Sequence, residues 1–369
     1  MRLILLTAGG RAGSDFFHSL LDGHSQILQF PGIFRVDNKL KLILKTEDLK
    51  KKAKLFIKFY PEFFNSKINK TERWNKLGEK KNRYFQVNKK NFVNNFYKIS
   101  KKNEKKITSN YECLINLHLA YFVTRKKSIK NIRMLFVHTH LLGWTKKFIN
   151  LFDIKKIDIL HTIRHPLSSL SSPIKSWLMY DKGKRFFSKN LFYQIDTVVN
   201  CIYDMNKLGK LYIIKLEKLH TQNTKLMKNF CKKFMINYET NLSISSKNDL
   251  EWWGDSLSKE YKNGINKNFK VKIYENHFYE RDLIFLQNLT KKIIKKYKYD
   301  FYYDNKNILF NLLPMKCEID VWKNTFNNLF TGCFRWKQLL SIPVFYLLRI
   351  FMINKIQINL KNRDLPKEI

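Results

Sequence analysis

The sequence predicts a three-layer α/β fold: a central parallel sheet flanked by helices, with a helical insertion and a C-terminal helical tail. Short apolar runs at residues 3–6, 134–137, 157–163 and 211–216 are each followed by a helical pattern. Strands separated by helices in this way join as parallel neighbours through crossover connections. The first run opens directly into a glycine-rich turn and then a helix. At 369 residues and 44% hydrophobic, the chain can bury a sizeable core.

Residues 1–30 read as strand, loop, helix and a second short strand at 27–30. Residues 39–130 read as a basic, aromatic, helical insertion with breaks at Pro61 and Gly78, closing with a helix at 111–127. Strand 134–137 leads to a helix at 144–152. Strand 157–163 ends at Arg164-His165-Pro166, and a helix from Leu167 to Tyr180 follows, which Pro173 is expected to kink or interrupt. A helix at 186–207 leads to strand 211–216, and a helix at 222–235 comes next. Trp252, Trp253 and Gly254 open an irregular stretch, and 280–297 is again helical.

Residues 1–300 therefore form the α/β domain and 301–369 a helical appendage. Residues 339–353 of the appendage are apolar apart from Ser341, Pro343 and Arg349. That is short for a bilayer span. The segment is expected to pack on the core or on another subunit. The alternative is peripheral membrane contact through 335–355, flanked by Arg335, Lys337 and Lys355.

A net charge of +40 invites a nucleic-acid reading. However, Lys, Asn, Ile, Phe and Tyr are enriched together, as AT-rich coding produces, and no nucleic-acid motif accompanies the charge. Nucleic acid is not an expected partner. The charge is uneven, with 22 Lys and Arg against 6 Asp and Glu over 39–107. Such a surface attracts polyanions and would favour an acidic acceptor or anionic lipid.

The five cysteines, Cys113, Cys201, Cys231, Cys317 and Cys333, form no C-x-x-C pair. They argue against a disulfide framework or zinc ribbon and for a reducing compartment. The first apolar run is too short for a signal peptide, and no run of 18 apolar residues occurs. A cytoplasmic location is expected.

Residues 9–16, Gly9-Gly10-Arg11-Ala12-Gly13-Ser14-Asp15-Phe16, carry the first chemistry. The glycines permit a tight turn and close backbone approach to an anion. First-turn amides of the following helix lack intrahelical acceptors, and Arg11 adds a permanent charge with forked donors. A Walker A loop is absent: aligned on Gly13, Ala8 replaces its first glycine, Ser14 its lysine and Asp15 its serine or threonine. The dinucleotide fingerprint G-x-G-x-x-G is absent too.

The loop instead resembles the 5′-phosphosulfate loop of sulfotransferases that use 3′-phosphoadenylyl sulfate (PAPS), in their bacterial and carbohydrate-acting members. Arg11, Gly13, Ser14, Leu20, Leu21, Asp22 and His24 fit that pattern; Ala8 and Ala12 depart from it. A second resemblance lies after strand 157–163. There Arg164-His165-Pro166 and Ser172, eight residues after the arginine, are similar to the family's 3′-phosphate site. An arginine at a parallel strand's carboxyl end sits where α/β ligands bind, and its guanidinium can hold phosphate through two bonds.

Thr139-His140-Leu141 resembles the K-T-H-L stretch that carries the catalytic histidine in cytosolic members, with His138 at the lysine position. The alternatives are that His140 merely ends a strand, or that a glutamate is the base, as in many carbohydrate sulfotransferases. A metal reading of His138 and His140, with His161 and His165 nearby in the sheet order, lacks a carboxylate to complete the set. No metal is expected.

The resemblance implies a P-loop-like fold with PAPS as co-substrate and sulfuryl transfer to a hydroxyl or amine, on a glycan or glycolipid. Gly9 to Phe16, Arg164 and Ser172 would bind PAPS, with Arg11 and His140 catalytic. Asp15 is expected to turn away toward the first helical turn. Residues 215–219 and 253–264 resemble less specific family segments; Lys259 and Lys262 read as solvated surface, with anion contact as the alternative. The competing readings are a P-loop kinase-like transferase and a non-catalytic protein binding polyanions or membrane surfaces.

Overall fold

The structure, a computed structural model, describes residues 1–102, 109–180, 191–254, 264–303, 312–327, 336–362 and 364–369. The chain begins with β1 (Arg2–Ala8), α1 (Ser14–Leu20) and β2 (Ile27–Leu28). The insertion follows as α2 (Asn38–Lys45), α3 (Leu49–Phe59), α4 (Pro61–Phe64), α5 (Lys89–Lys102) and α6 (Asn110–Thr124). Next come β3 (Met134–His140), α7 (Leu142–Leu151), β4 (Asp158–Ile163) and α8 (Pro166–Tyr180). Helices α9 (Leu191–Ile195) and α10 (Cys201–Asn206) are joined by a wider π-type turn at Asp196–Asn200. Then follow β5 (Lys210–Lys215), α11 (Leu216–Thr221), α12 (Asn223–Phe234) and a short hairpin, β6 (Ser246–Lys247) and β7 (Leu250–Glu251). The last elements are α13 (Glu280–Leu289), α14 (Lys291–Lys296), α15 (Lys316–Asn327), α16 (Trp336–Asn362) and β8 (Lys367–Glu368).

The central sheet has the order β2-β3-β1-β4-β5-β8, and every pairing in it is parallel. Its inner strands are buried on both faces, which is why they read as continuous apolar runs. Side chains alternate between two cores. Leu3, Leu5, Leu135, Val137 and Ile159 face the insertion side. Ile4, Leu6, Met134, Phe136 and Leu160 face α1 and α12, against Phe17, Leu20, Met227 and Phe230. The three-layer α/β expectation is met.

The insertion separates its chemistry by depth. Phe30, Phe34, Phe56, Phe63, Phe64, Phe92 and Tyr121 form a buried ring cluster, so its lysines are left to the surface. Asp37 and Asp48 cap α2 and α3 by accepting from backbone N–H groups of the first turns. Trp252 and Trp253 tie the insertion down: their indole N–H groups donate to the carbonyls of Glu72 (2.6 Å) and Gly78 (2.8 Å).

Helix α8 runs through Pro173 rather than stopping there. Residues 181–190 lie outside the described residues, so the expected helix at 186–207 is seen only from Leu191. The appendage supplies more than helices, since its last residues add β8 beside β5. Two paired residues carry no periodicity, so no pattern in the sequence marks this strand. Helix α16 buries Arg349, Met352, Ile353 and Ile356 and exposes Leu340, Val344, Leu347, Phe351 and Ile358. Arg349 is fully buried and donates from Nε to Glu318 Oε1 at 2.7 Å, joining α16 to α15. Among the described residues, no helix is long and apolar enough to cross a membrane.

Candidate active site

Strand β1 lies between β3 and β4. The chain leaves β1 toward β2 and β3, then crosses to β4 on the other side. The carboxyl ends of these three strands therefore open at the point where strand order reverses, the usual ligand crevice of such sheets.

The glycine loop fills that point. Gly9 N–H donates to Thr162 O (3.0 Å), which continues the β1–β4 ladder, and Ala12 N–H donates to Gly10 O (2.8 Å). Gly10 and Gly13 have φ of +71° and +78°, a region L-residues avoid. A Cβ on Gly13 would lie 2.4 Å from Leu216 Cδ1, the first residue of α11. Gly13 caps α1 without a side-chain hydrogen bond, leaving the amides of Ser14 and Asp15 on the loop side. Phe16 turns its ring onto His220 (centroids 4.6 Å apart), which in turn stacks on Phe269.

Arg164 follows the end of β4 and reaches the loop. Its Nη1 donates to Arg11 O at 3.2 Å and its Nη2 to Ser168 Oγ. Burial lowers the affinity of its guanidinium for a proton, Glu217 opposes that, and Arg11 adds repulsion. Glu217 itself accepts from His165 N–H (2.8 Å) and from the Tyr299 hydroxyl (3.3 Å), fixing the turn that carries Arg164. The serine bonded to Arg164 is thus Ser168. Ser172, expected from the family resemblance, stands one helical turn further along the same face.

The third element is a histidine pair with an acid. His138 and His140 are two apart on β3 and would share one face of a regular strand. The register breaks between Leu6 and Thr7, which pair with His138 and His140, and His140 has φ of +62°. This bulge aims His140 at the loop, where its Nδ1 lies 3.2 Å from Ser14 Oγ and 3.3 Å from His138 Nε2. Backbone strain of this kind concentrates at functional sites. Burial pushes the His138 imidazole down to about 3 and lowers that of His140, although Asp15 pulls both the other way. Both are neutral at pH 7.

Asp15 accepts from its own backbone amide in the first helical turn and also faces the histidines, with Oδ1 3.7 Å from His138 Nδ1. Burial alone would raise its carboxyl. His138, His140 and Lys247 outweigh that and hold it below the usual carboxylate range. The ligating atoms of Asp15, His138 and His140 lie within 4.8 Å of one another. The carboxylate that sequence reasoning found missing beside the histidine pair is therefore present. The expected neighbours His161 and His165 are engaged elsewhere: His161 Nδ1 lies 2.7 Å from Thr7 Oγ1, and His165 Nε2 lies 3.0 Å from Asp300 O.

Lys247, from the short hairpin, supplies a cation the loop sequence lacks. It is 1% exposed. Its Nζ donates to Pro31 O (2.8 Å), lies 3.3 Å from His18 Nδ1 and sits over the Trp252 ring. Burial lowers its ammonium, and Asp15, Glu72 and Asp22 support it.

Asp15 also lines a pocket of about 230 Å³ with Arg35, Glu62, Asn69, Thr71, Glu72, Trp74 and Trp144. Arg35 is engaged with Glu62 at 2.9 Å. In a chain of net charge +40 this pocket has three carboxylates to one arginine.

Gly9 to Phe16, Arg164 and His140 thus gather at one sheet edge. Ser168, Glu217 and Lys247 were missed: Ser168 hid in a serine cluster, Glu217 was visible only as part of residues 215–219, and nothing local marked Lys247. Lys259 and Lys262 lie outside the described residues.

No protein-family model and no curated protein matches the chain. Among solved structures it is similar to a sulfotransferase domain from the curacin biosynthetic pathway, at 14% identity and a TM-score of 0.34, over 83% of this chain and 93% of that one. It is also similar to a sulfotransferase domain from the Synechococcus PCC 7002 olefin synthase, at 15% identity and a TM-score of 0.33, over 66% and 75%. Likeness at this level assigns no activity, and the functional reading rests on the site itself.

Proposed function

We propose that the chain is a sulfotransferase that moves a sulfuryl group from PAPS to an acceptor hydroxyl or amine. One observation carries the reading. The Arg164 guanidinium donates to the backbone carbonyl of Arg11 in a glycine turn that has neither a Walker lysine nor a dinucleotide fingerprint, close enough for the two arginines to repel. Two repelling guanidiniums at a strand edge suit a ligand with phosphate at both ends, such as a 3′-phosphoadenylyl nucleotide.

In this reading Gly9, Gly10 and Ala12 shape the turn, and the amides of Gly13, Ser14, Asp15 and Phe16 hold the 5′-phosphosulfate. Arg164, with Ser168 and Ser172, holds the 3′-phosphate. Arg11 stabilises charge on the departing phosphate oxygen. His140, neutral and hydrogen-bonded to the loop through Ser14, accepts the acceptor's proton. Positioning and charge stabilisation supply most of the catalysis, as in phosphoryl transfer. Asp15 would repel the donor by about 1 kcal/mol or more, and Lys247 offsets that charge.

The acceptor is a glycan or glycolipid. Trp144 offers an apolar face for a sugar ring, and Asn69 and Thr71 offer polar partners. Three carboxylates in the lining favour a neutral or amine-bearing sugar over an acidic one.

Thermal unfolding with adenosine 3′,5′-bisphosphate or with ATP and magnesium tests the donor assignment. At about 100 times its dissociation constant a ligand stabilises by about 2.7 kcal/mol. The bisphosphate is expected to raise the melting temperature, and Arg164→Ala to abolish the rise. Stabilisation by ATP and magnesium alone would indicate a kinase-like transferase. No response to either nucleotide would sink the proposal.

A further inference from the structure

We propose that Asp15, His138 and His140 form a binding site for one divalent transition-metal ion of the zinc type. The inference is independent of the donor nucleotide. Its first support is the donor set: two imidazoles and a carboxylate, with ligating atoms within 4.8 Å of one another. Zinc binds such groups at 2.0–2.2 Å, so ligands on a tetrahedral ion stand about 3.3 Å apart. Side-chain rotations on the order of 1 Å close the present arrangement onto an ion.

The second support is an orphaned atom. His138 is 1% exposed, and its Nδ1 is buried without a hydrogen-bond partner. That nitrogen lies 3.7 Å from Asp15 Oδ1, too far for a hydrogen bond and suited to a shared cation between them. A buried polar atom without a partner is costly, and ligation would satisfy it.

Backbone geometry presents the ligands together. The β1–β3 register break and the left-handed backbone at His140 bring its ring beside His138. Asp15 comes from the first turn of α1 and borders the pocket, so a fourth coordination position opens toward it. Mixed nitrogen and oxygen donors select zinc or cobalt over calcium and magnesium, which take oxygen ligands. A neutral imidazole has one free lone pair. Metal ligation at His140 and proton acceptance by His140 therefore exclude one another, so an ion bound here would block the transfer proposed above rather than assist it.

The test uses the full chain, without an affinity tag and stripped of metal. Zinc is titrated by calorimetry and cobalt by visible absorption. Saturation at one equivalent is expected, with the strong absorption of a low-coordinate cobalt site and no comparable uptake of magnesium. Asp15→Asn and His138→Asn should each weaken binding at least about tenfold, after their melting curves confirm folding. If the buried His138 variant fails to fold, the partly exposed Asp15 variant carries the comparison alone. Absence of saturable binding overturns the proposal. So does unchanged affinity in folded Asp15→Asn, which would place the ion at an adventitious surface site.

Discussion

Replacing Gly13 with alanine probes the loop conformation on which the site depends. Gly13 has φ of +78°, and a Cβ there would stand 2.4 Å from Leu216 Cδ1. The left-handed backbone costs an L-residue about 1–2 kcal/mol. Leu216, at the start of α11, is buried against the loop, so relieving the overlap means displacing packed atoms, at about 1–3 kcal/mol. The expected loss is thus about 2–5 kcal/mol. Unfolding entropy scales with length, so for this chain that loss corresponds to a drop of roughly 3–6 °C in melting temperature. Gly143→Ala is the control. It lies in α7 with nothing within 4 Å of the added Cβ, and is expected to be neutral or stabilising by about 0.5–1 kcal/mol. Both variants are followed by thermal unfolding and by bisphosphate titration. Gly13→Ala should lose stability and affinity together. If it melts and binds like the parent while Gly143→Ala does not, the reasoning about the loop is refuted.

Three further outcomes are expected. His140→Gln should lower the sulfuryl-transfer rate about 10²–10⁴-fold while leaving bisphosphate binding intact; an unchanged rate would remove His140 as the base. His118 and His161 are held down to about 3 by burial, against 6.5 ordinarily. Below pH 6.5 the unfolded chain takes up protons that the native state refuses, so stability falls as pH drops toward 3, by roughly 2 kcal/mol per histidine at pH 5. Melting curves from pH 7.5 to 5 should show the decline, and His118→Phe should flatten it. Glu318→Leu strands the buried Arg349 charge and should cost about 3–5 kcal/mol by urea unfolding, whereas adding Arg349→Met should restore most of the loss.

Legibility followed the range of the interactions. The apolar runs of β1, β3, β4 and β5 were readable because strands buried on both faces must be apolar throughout. The glycine loop was readable because its backbone angles exclude most other residues. Arg164 was readable from its place at a strand end. Ser168 was not, because a serine's partner depends on which arginine rotamer the surroundings select. Lys247 was invisible because its role comes from a hairpin packed under α1. Two-residue β8 has no pattern to read.

The inner strands of the sheet, the anion-holding turn and the identity of the groups that could do chemistry are legible in the residues alone. These depend on local backbone rules and on hydrophobic periodicity. Where the charges face follows from the packing of distant elements. That packing turned Asp15 toward His138 and His140, set Lys247 behind them and lined the pocket of a very basic chain with carboxylates. Composition counts charges, whereas a site's potential depends on which few of them the fold brings within several ångströms of one another.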